Sequence, residues 1–306
     1  MCRTHMELNW IAPALGSTLI YSAVTIGDKY ILSTLKLKLT SFYLFVGSSQ
    51  LVISAIILVV NPVNAWNRPE ILAAFGGGLL WGIGLLMMFW VLQREEASRV
   101  TSVWQSSPIF VAIIAVFFLG ESLAWYHWLA ILMVVGGVTA VSIRRGQMGG
   151  GYVLSPGFFL LLAGALIIGV AQVLLKVAAG ELSVWHSMAF RGLGLFVAMG
   201  TPYLRLENVR AILDFARTPG KATVLLATEA IGPFAGNLLL LVAIANGPVS
   251  LVSALLGTRP LFVLGLILAI GFFARNVLAE GMTRGDIAIK AASAGLVVGG
   301  IFLIAN

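Results

Sequence analysis

The chain has 306 residues, of which 59% are hydrophobic and only 10% charged, with a mean hydropathy of +1.00. A soluble domain carries roughly 25% charged residues, so this composition excludes a fold surrounded by water. The net charge of +7 does not signal nucleic acid, because the basic residues fall in short gaps between apolar runs and no basic, aromatic-interleaved patch occurs. Membrane lipids and membrane orientation account for them. With Cys2 as the single cysteine, an intrachain disulfide or a cysteine metal cluster is excluded, and no metal or cofactor is expected.

A helix crosses about 30 Å of hydrocarbon with roughly 20 residues. Runs of that kind occur at 8–32, 41–60, 70–92, 99–119, 126–143, 156–178, 184–204, 222–244, 249–271 and 286–305. They are continuous rather than alternating, which excludes barrel strands. The first is longer than the core of a signal peptide, about 7–15 residues, and reads as a retained span. The longest connection, 205–221, holds four basic residues and a proline and reads as an interfacial segment. Glycines inside the spans, as in Gly78-xxx-Gly82, Gly232-xxx-Gly236 and Gly295-xxx-Gly299, suit helices packed closely in lipid.

Polar residues inside these spans are costly and therefore informative. A charge at the membrane centre costs at least about 2.5–3.5 kcal/mol on insertion scales. In span one, Thr18, Tyr21, Thr25 and Asp28 follow at steps of 3, 4 and 3, which places them on one helix face directed inward. Lining a cavity and bonding to a neighbouring helix are both open to them. Lys29 and, in span six, Lys176 sit near helix ends, as gate residues or as side chains reaching the headgroups. Trp81 in span three and Trp104 and Gln105 in span four lie deeper than an interfacial tryptophan belt, as cavity wall or as packing. Span four continues into Pro108, a helix-break position. In span seven, His186 is a candidate proton-coupling group, and Arg191 is close enough to the helix start to snorkel. Span eight holds Glu229, a stronger coupling candidate, and Asn237. Arg259 stands mid-span immediately before Pro260, where the proline frees a carbonyl. A carboxylate or phosphate ligand fits it; an internal ion pair, for instance with Glu229, is the alternative.

The chain also repeats itself. Residues 98–110, SRVTSVWQSSPIF, align with 250–262, SLVSALLGTRPLF, through Ser98/Ser250, Val100/Val252, Pro108/Pro260 and Phe110/Phe262. Lys29 and Lys176 correspond in the same manner at the ends of spans one and six. The expected organisation is a five-helix repeat at 1–145, a linker at 146–154 and a second five-helix repeat at 155–306. An odd number of spans per repeat inverts the second copy, and inverted repeats place a site near the membrane midplane. The expected fold is thus an all-α integral membrane protein of ten transmembrane helices in two inverted repeats.

Residues 96–137 carry Ala97-Ser98, Pro108-Ile109-Phe110, Gly120-Glu121 and Gly136-Gly137 in an order that resembles the EamA-type branch of the drug/metabolite transporter superfamily. The second half departs from that pattern, with Phe272-Phe273 where another Gly-Glu would stand. The resemblance implies a transporter of small metabolites and leaves the substrate open. It also implies cytoplasmic termini, whereas the positive-inside count gives the opposite. Two basic residues, Arg3 and Arg68, lie on the side of the termini, and twelve lie on the other. The count is followed here: termini outside, in a bacterial or archaeal cytoplasmic membrane.

The excess of Lys29, Lys176, Arg191 and Arg259 over Asp28 and Glu229 within the membrane points to a small anionic or zwitterionic substrate moved by alternating access. A lipid or lipid-linked sugar flippase is the alternative. An intramembrane enzyme lacks a nucleophile–base pair or carboxylate cluster in the sequence, so no catalytic residue is assigned. A non-transporting receptor predicts no repeat symmetry. Oligomeric state is left unassigned.

Overall fold

In the computed structural model, residues 9–63, 66, 68–92, 103–104, 106–142, 156–259, 261–263, 265–266, 269, 295–296, 299–300 and 303 are described. Every regular element among them is helical, as lipid demands of any segment that must satisfy its backbone internally. The order is α1 (Ile11–Lys29), continued by a π-helical turn (Tyr30–Thr34), then α2 (Leu39–Val60), α3 (Pro69–Leu92), α4 (Ser107–Leu119) and α5 (Trp125–Ser142). There follow α6 (Pro156–Glu181), α7 (Val184–Met199), α8 (Leu206–Ala216), α9 (Pro219–Asn246) and α10 (Val249–Leu256). α9 contains a π-helical turn at Ala227–Ile231. Four of these, Leu39–Val60, Pro69–Val91, Gly157–Glu181 and Pro219–Asn246, are long and apolar enough to cross a membrane.

Among the described residues the helices overlap the expected runs and differ from them at their ends. In span four, expected from 99, residues 103 and 104 are helical, Ser106 is a turn, and α4 begins at Ser107 with Pro108 in its first turn. Proline is accommodated there because its missing N–H would have had no helical partner anyway. Span seven closes at Met199 in a short 3₁₀ turn, Thr201–Tyr203, instead of reaching 204 as α-helix. The segment read as interfacial folds into α8, an amphipathic helix with Leu206 and Leu213 exposed and Phe215 buried. Asn208 anchors it, donating to Tyr203 O (2.9 Å) and accepting from Thr40 (2.8 Å) and Ser41 (3.2 Å). Most of the tenth expected span lies outside the described residues. Val59, Leu72, Phe117 and Phe118 are strongly exposed, as lipid-facing side chains are. Trp66, Trp90, Trp125 and Trp185 stand exposed at or beside helix ends, where an interfacial belt belongs.

The chain packs as two compact units, Met1–Ile83 with Val170–Gly247, and Gly84–Gly169 with Pro248–Asn306. Each draws on both expected repeats, so packing unit and sequence repeat are different divisions of the chain.

In the first unit α1 packs along α9 and α2 along α7. Glycine sets the spacing. A Cβ at Gly27 would meet Thr228 Cγ2 at 2.1 Å, one at Gly232 would meet Val24 Cγ2 at 2.7 Å, and one at Gly236 would touch the Tyr21 ring at 3.1 Å. Between α3 and α7 the approach is backbone to backbone, since a Cβ at Gly78 would lie 1.9 Å from Arg191 O. Helices so close gain van der Waals contact that lipid cannot supply.

The second unit gathers α4, α5 and α10. Every residue of α10 is buried, including Ser250 and Ser253. α4 stops at Gly120, whose φ of 65° is left-handed, the conformation glycine adopts without a Cβ penalty.

Candidate functional site

The first unit holds a buried polar layer built by four helices. Arg191, on α7, is 2% exposed and is the bulkiest fully buried side chain among the described residues. Its guanidinium lies over the Trp81 ring of α3, 4.7 Å from the centroid, and donates to the Tyr21 hydroxyl of α1. Tyr21 in turn donates to Asn237 Oδ1 on α9, which is 3% exposed. Arginine over an indole face is a desolvated cation–π pair, worth about 2 kcal/mol. That offsets part of the cost of burial and leaves the charge itself uncompensated. No acidic side chain among the described residues pairs with Arg191, and its Nε has no hydrogen-bond partner there. Such a layer can receive an anionic group and orient it through Tyr21 and Asn237.

Two turns away on the same pair of helices, the carboxyl groups of Asp28 on α1 and Glu229 on α9 face each other within hydrogen-bonding reach. Glu229 is 3% exposed and stands in the π turn of α9, whose backbone carbonyl accepts from Ser49 Oγ of α2 (2.8 Å). The other residues on the expected face of α1 behave differently. Thr18 is buried and donates to Ala14 O (2.8 Å), whereas Thr25 is exposed and donates to Tyr21 O (2.8 Å).

Lys176 donates from Nζ to Ile244 O (2.7 Å) and Gly247 O (2.8 Å), so its ammonium closes the C-terminal end of α9. Lys29 is exposed at the end of α1. The helical path runs on from Lys29 to Thr34 and from Lys176 to Glu181, the same distance past each lysine. His186 ties the start of α7 to the end of α2. Its Nε2 is 3.0 Å from Asn61 O, and since a carbonyl only accepts, that nitrogen carries the proton.

The second unit holds the remaining expected residues. Trp104 packs among Val91, Leu161, Met88 and Val103, its ring 3.5 Å from a Cβ placed at Gly84 and 3.0 Å from one placed at Gly164. Arg259 is half-buried after Thr258, whose hydroxyl donates to Leu255 O (2.7 Å). Gln105 and Pro260 lie outside the described residues. Glu121 accepts at Oε1 from Val249 N (2.7 Å), and at Oε2 from Ser250 Oγ (2.5 Å) and Ser250 N (3.4 Å). Its carboxylate thus caps the positive end of α10.

Comparison with known proteins decides what this helical membrane chain is. Residues 8–143 match the model of the EamA-like transporter family. A relative from Pseudomonas fluorescens, named as a probable 4-amino-4-deoxy-L-arabinose-phosphoundecaprenol flippase subunit ArnE, is 34% identical over 88 residues, 26% of this chain and 77% of the relative. The chain belongs to the EamA-like transporter family. It is an integral membrane protein and a transporter of the drug/metabolite transporter superfamily. A solved crystal structure aligns with a TM-score of 0.68 at 18% identity, covering 97% of this chain and 96% of that one, which is a likeness of fold.

In this EamA-type transporter the Gly120-Glu121 motif has a physical reading: the glycine ends one helix and the glutamate starts another. The sequence reading of Arg191 as a snorkelling residue is corrected, since the side chain is buried and held by Trp81 and Tyr21. The available signal was the flanking sequence. Gly192 and Gly194 let α2 and α3 close against α7, with Cβ positions 2.2 Å from Ser54 Oγ and 2.0 Å from Phe75 O. That shuts the residue beside them away from the headgroups.

Proposed function

We propose that this chain is a secondary transporter that moves a small anionic or zwitterionic metabolite by alternating access, with Arg191 holding the negative charge of the substrate. The observation that carries this reading is a buried guanidinium with no acidic partner among the described residues. A buried charge persists when a counter-charge meets it, and in a transporter the substrate can be that counter-charge. Tyr21 and Asn237 fix its orientation, and Trp81 forms an apolar wall beside it. Arg259, Asp28, Thr25, Trp104 and Gln105 remain proposed substrate contacts, and Lys29 and Lys176 proposed gate or helix-end residues. The cytoplasmic membrane of a bacterium or archaeon, with both termini outside, is the proposed setting.

The second reading, a flippase of lipid-linked sugars, is favoured by the ArnE relative. A phosphate would suit Arg191 as well as a carboxylate does. A thermal-shift screen tests both readings, using purified protein with amino acids, organic acids, sugar phosphates and short-chain prenyl phosphates. Under the leading reading a soluble anion stabilises the wild type and loses its effect on Arg191→Gln, with Arg259→Ala run beside it. Stabilisation by prenyl phosphates alone favours the flippase. A soluble anion that stabilises Arg191→Gln as strongly as the wild type removes Arg191 from the site.

A further inference from the structure

We propose that Asp28 and Glu229, facing each other across the glycine-packed seam between α1 and α9, form a proton-binding site of this transporter. The geometry leaves little choice of occupant. Gly27, next to Asp28, has no room for a Cβ beside the side chain of Thr228, next to Glu229, so the two carboxyls are carried by residues flanking a tight contact between the helices. Two carboxylates held side by side, one buried and one half-buried, repel, and a shared proton converts that repulsion into a hydrogen bond. Glu229 is 3% exposed and its Oε1 has no hydrogen-bond partner among the described residues, so an acceptor there awaits a donor.

The surrounding hydroxyls are already engaged, although Thr228 also lies within hydrogen-bonding reach of the Glu229 carboxyl. The Thr228 hydroxyl donates to Val224 O (2.9 Å), and Ser49 Oγ is engaged with the Glu229 and Val46 carbonyls (2.8 Å each). The elements packed on this turn of α9 are α1 and α2. α1 brings Tyr21 two turns away and Lys29, exposed at its end; α2 carries Tyr43 as its single ionisable residue; α9 itself carries Lys221, two turns earlier. Protonation lets the seam close, and ionisation strains it beside that tight contact. The seam also bears Tyr21 and Asn237, two turns away, so the state of the acid pair reaches the layer around Arg191 through the same two helices. That coupling rests on the function proposed above; proton binding itself does not.

The test uses protons as the probe. Protein in phosphatidylcholine–phosphatidylglycerol liposomes is adsorbed on a solid-supported membrane and given a pH jump without substrate. The wild type shows a transient charge displacement. Glu229→Gln and Asp28→Asn reduce it to the level of protein-free liposomes, and exposed Glu207→Gln leaves it unchanged. Glu229→Asp, which keeps the carboxyl if the amide variant fails to fold, retains a displacement with a shifted midpoint. No displacement in the wild type, or one that Asp28→Asn and Glu229→Asp leave untouched, overturns the proposal. A displacement driven by a sodium jump at constant pH overturns the choice of a proton. Failure of every anion in the thermal-shift screen leaves this measurement intact, so the two readings fail separately.

Discussion

Replacing Glu121 by alanine should unfasten α10. The first residue before that helix is Pro248, which offers no side-chain acceptor, and the helix is buried along its whole length, so water cannot reach its first amides. Glu121 meets that need with bonds of 2.7 Å to Val249 N and 2.5 Å to Ser250 Oγ. An orphaned buried amide costs about 1–3 kcal/mol. Removing a carboxylate from a helix N-terminus adds about 0.3–1 kcal/mol. The sum, about 1–4 kcal/mol, corresponds to roughly 3–16 °C of melting temperature at about 2–4 °C per kcal/mol for a chain of this order of size. Glu121→Gln keeps an acceptor for Val249 N and loses the charge, so it should fall between wild type and alanine. The assay is heating in detergent followed by size-exclusion chromatography with fluorescence detection. An alanine variant that melts with the wild type, and a glutamine variant no better than alanine, would refute the capping argument.

Lys176→Met should lower the melting temperature in the same assay by the equivalent of about 1–3 kcal/mol, because two carbonyls at the end of α9 lose a charged donor. Gly78→Ala should prevent accumulation of monodisperse protein, since its Cβ would lie 1.9 Å from the Arg191 carbonyl oxygen and backbone cannot yield as a side chain does. Tyr21→Phe should cost about 1–3 kcal/mol of stability by leaving Asn237 Oδ1 without its donor. It should also weaken binding of any anion found in the thermal-shift screen, while leaving the protein monodisperse.

The helices were legible in the sequence because hydrocarbon imposes a length and an internal hydrogen-bond economy on every crossing segment. Their ends were less so. Pro108 reads as a break inside a span, and it stands in the first turn of α4, just after the turn at Ser106 that follows helical residues 103 and 104. On α1 the steps of 3, 4 and 3 suggest a single inward face, yet Thr18 is buried and Thr25 exposed. Spacing alone could not tell that Thr18 and Thr25 turn back to their own helix, as hydroxyls often do. The largest miss, Arg191, came from measuring its depth by distance to a helix end. Burial is decided by which helices close over a side chain, and those contacts come from glycines on α3 and α7 far apart in sequence. Asp28 reads as one of four polar residues on a helix face and Glu229 as a coupling candidate; only the α1–α9 seam makes them neighbours.

Transport itself gives the most direct test. A stabilising anion, radiolabelled, is offered to proteoliposomes preloaded with the unlabelled compound, and counterflow is compared among wild type, Arg191→Lys and Arg191→Gln. The structure predicts counterflow in the wild type, a reduced rate with lysine and none with glutamine, all three proteins being equally monodisperse. Wild-type counterflow by the folded glutamine variant would contradict it.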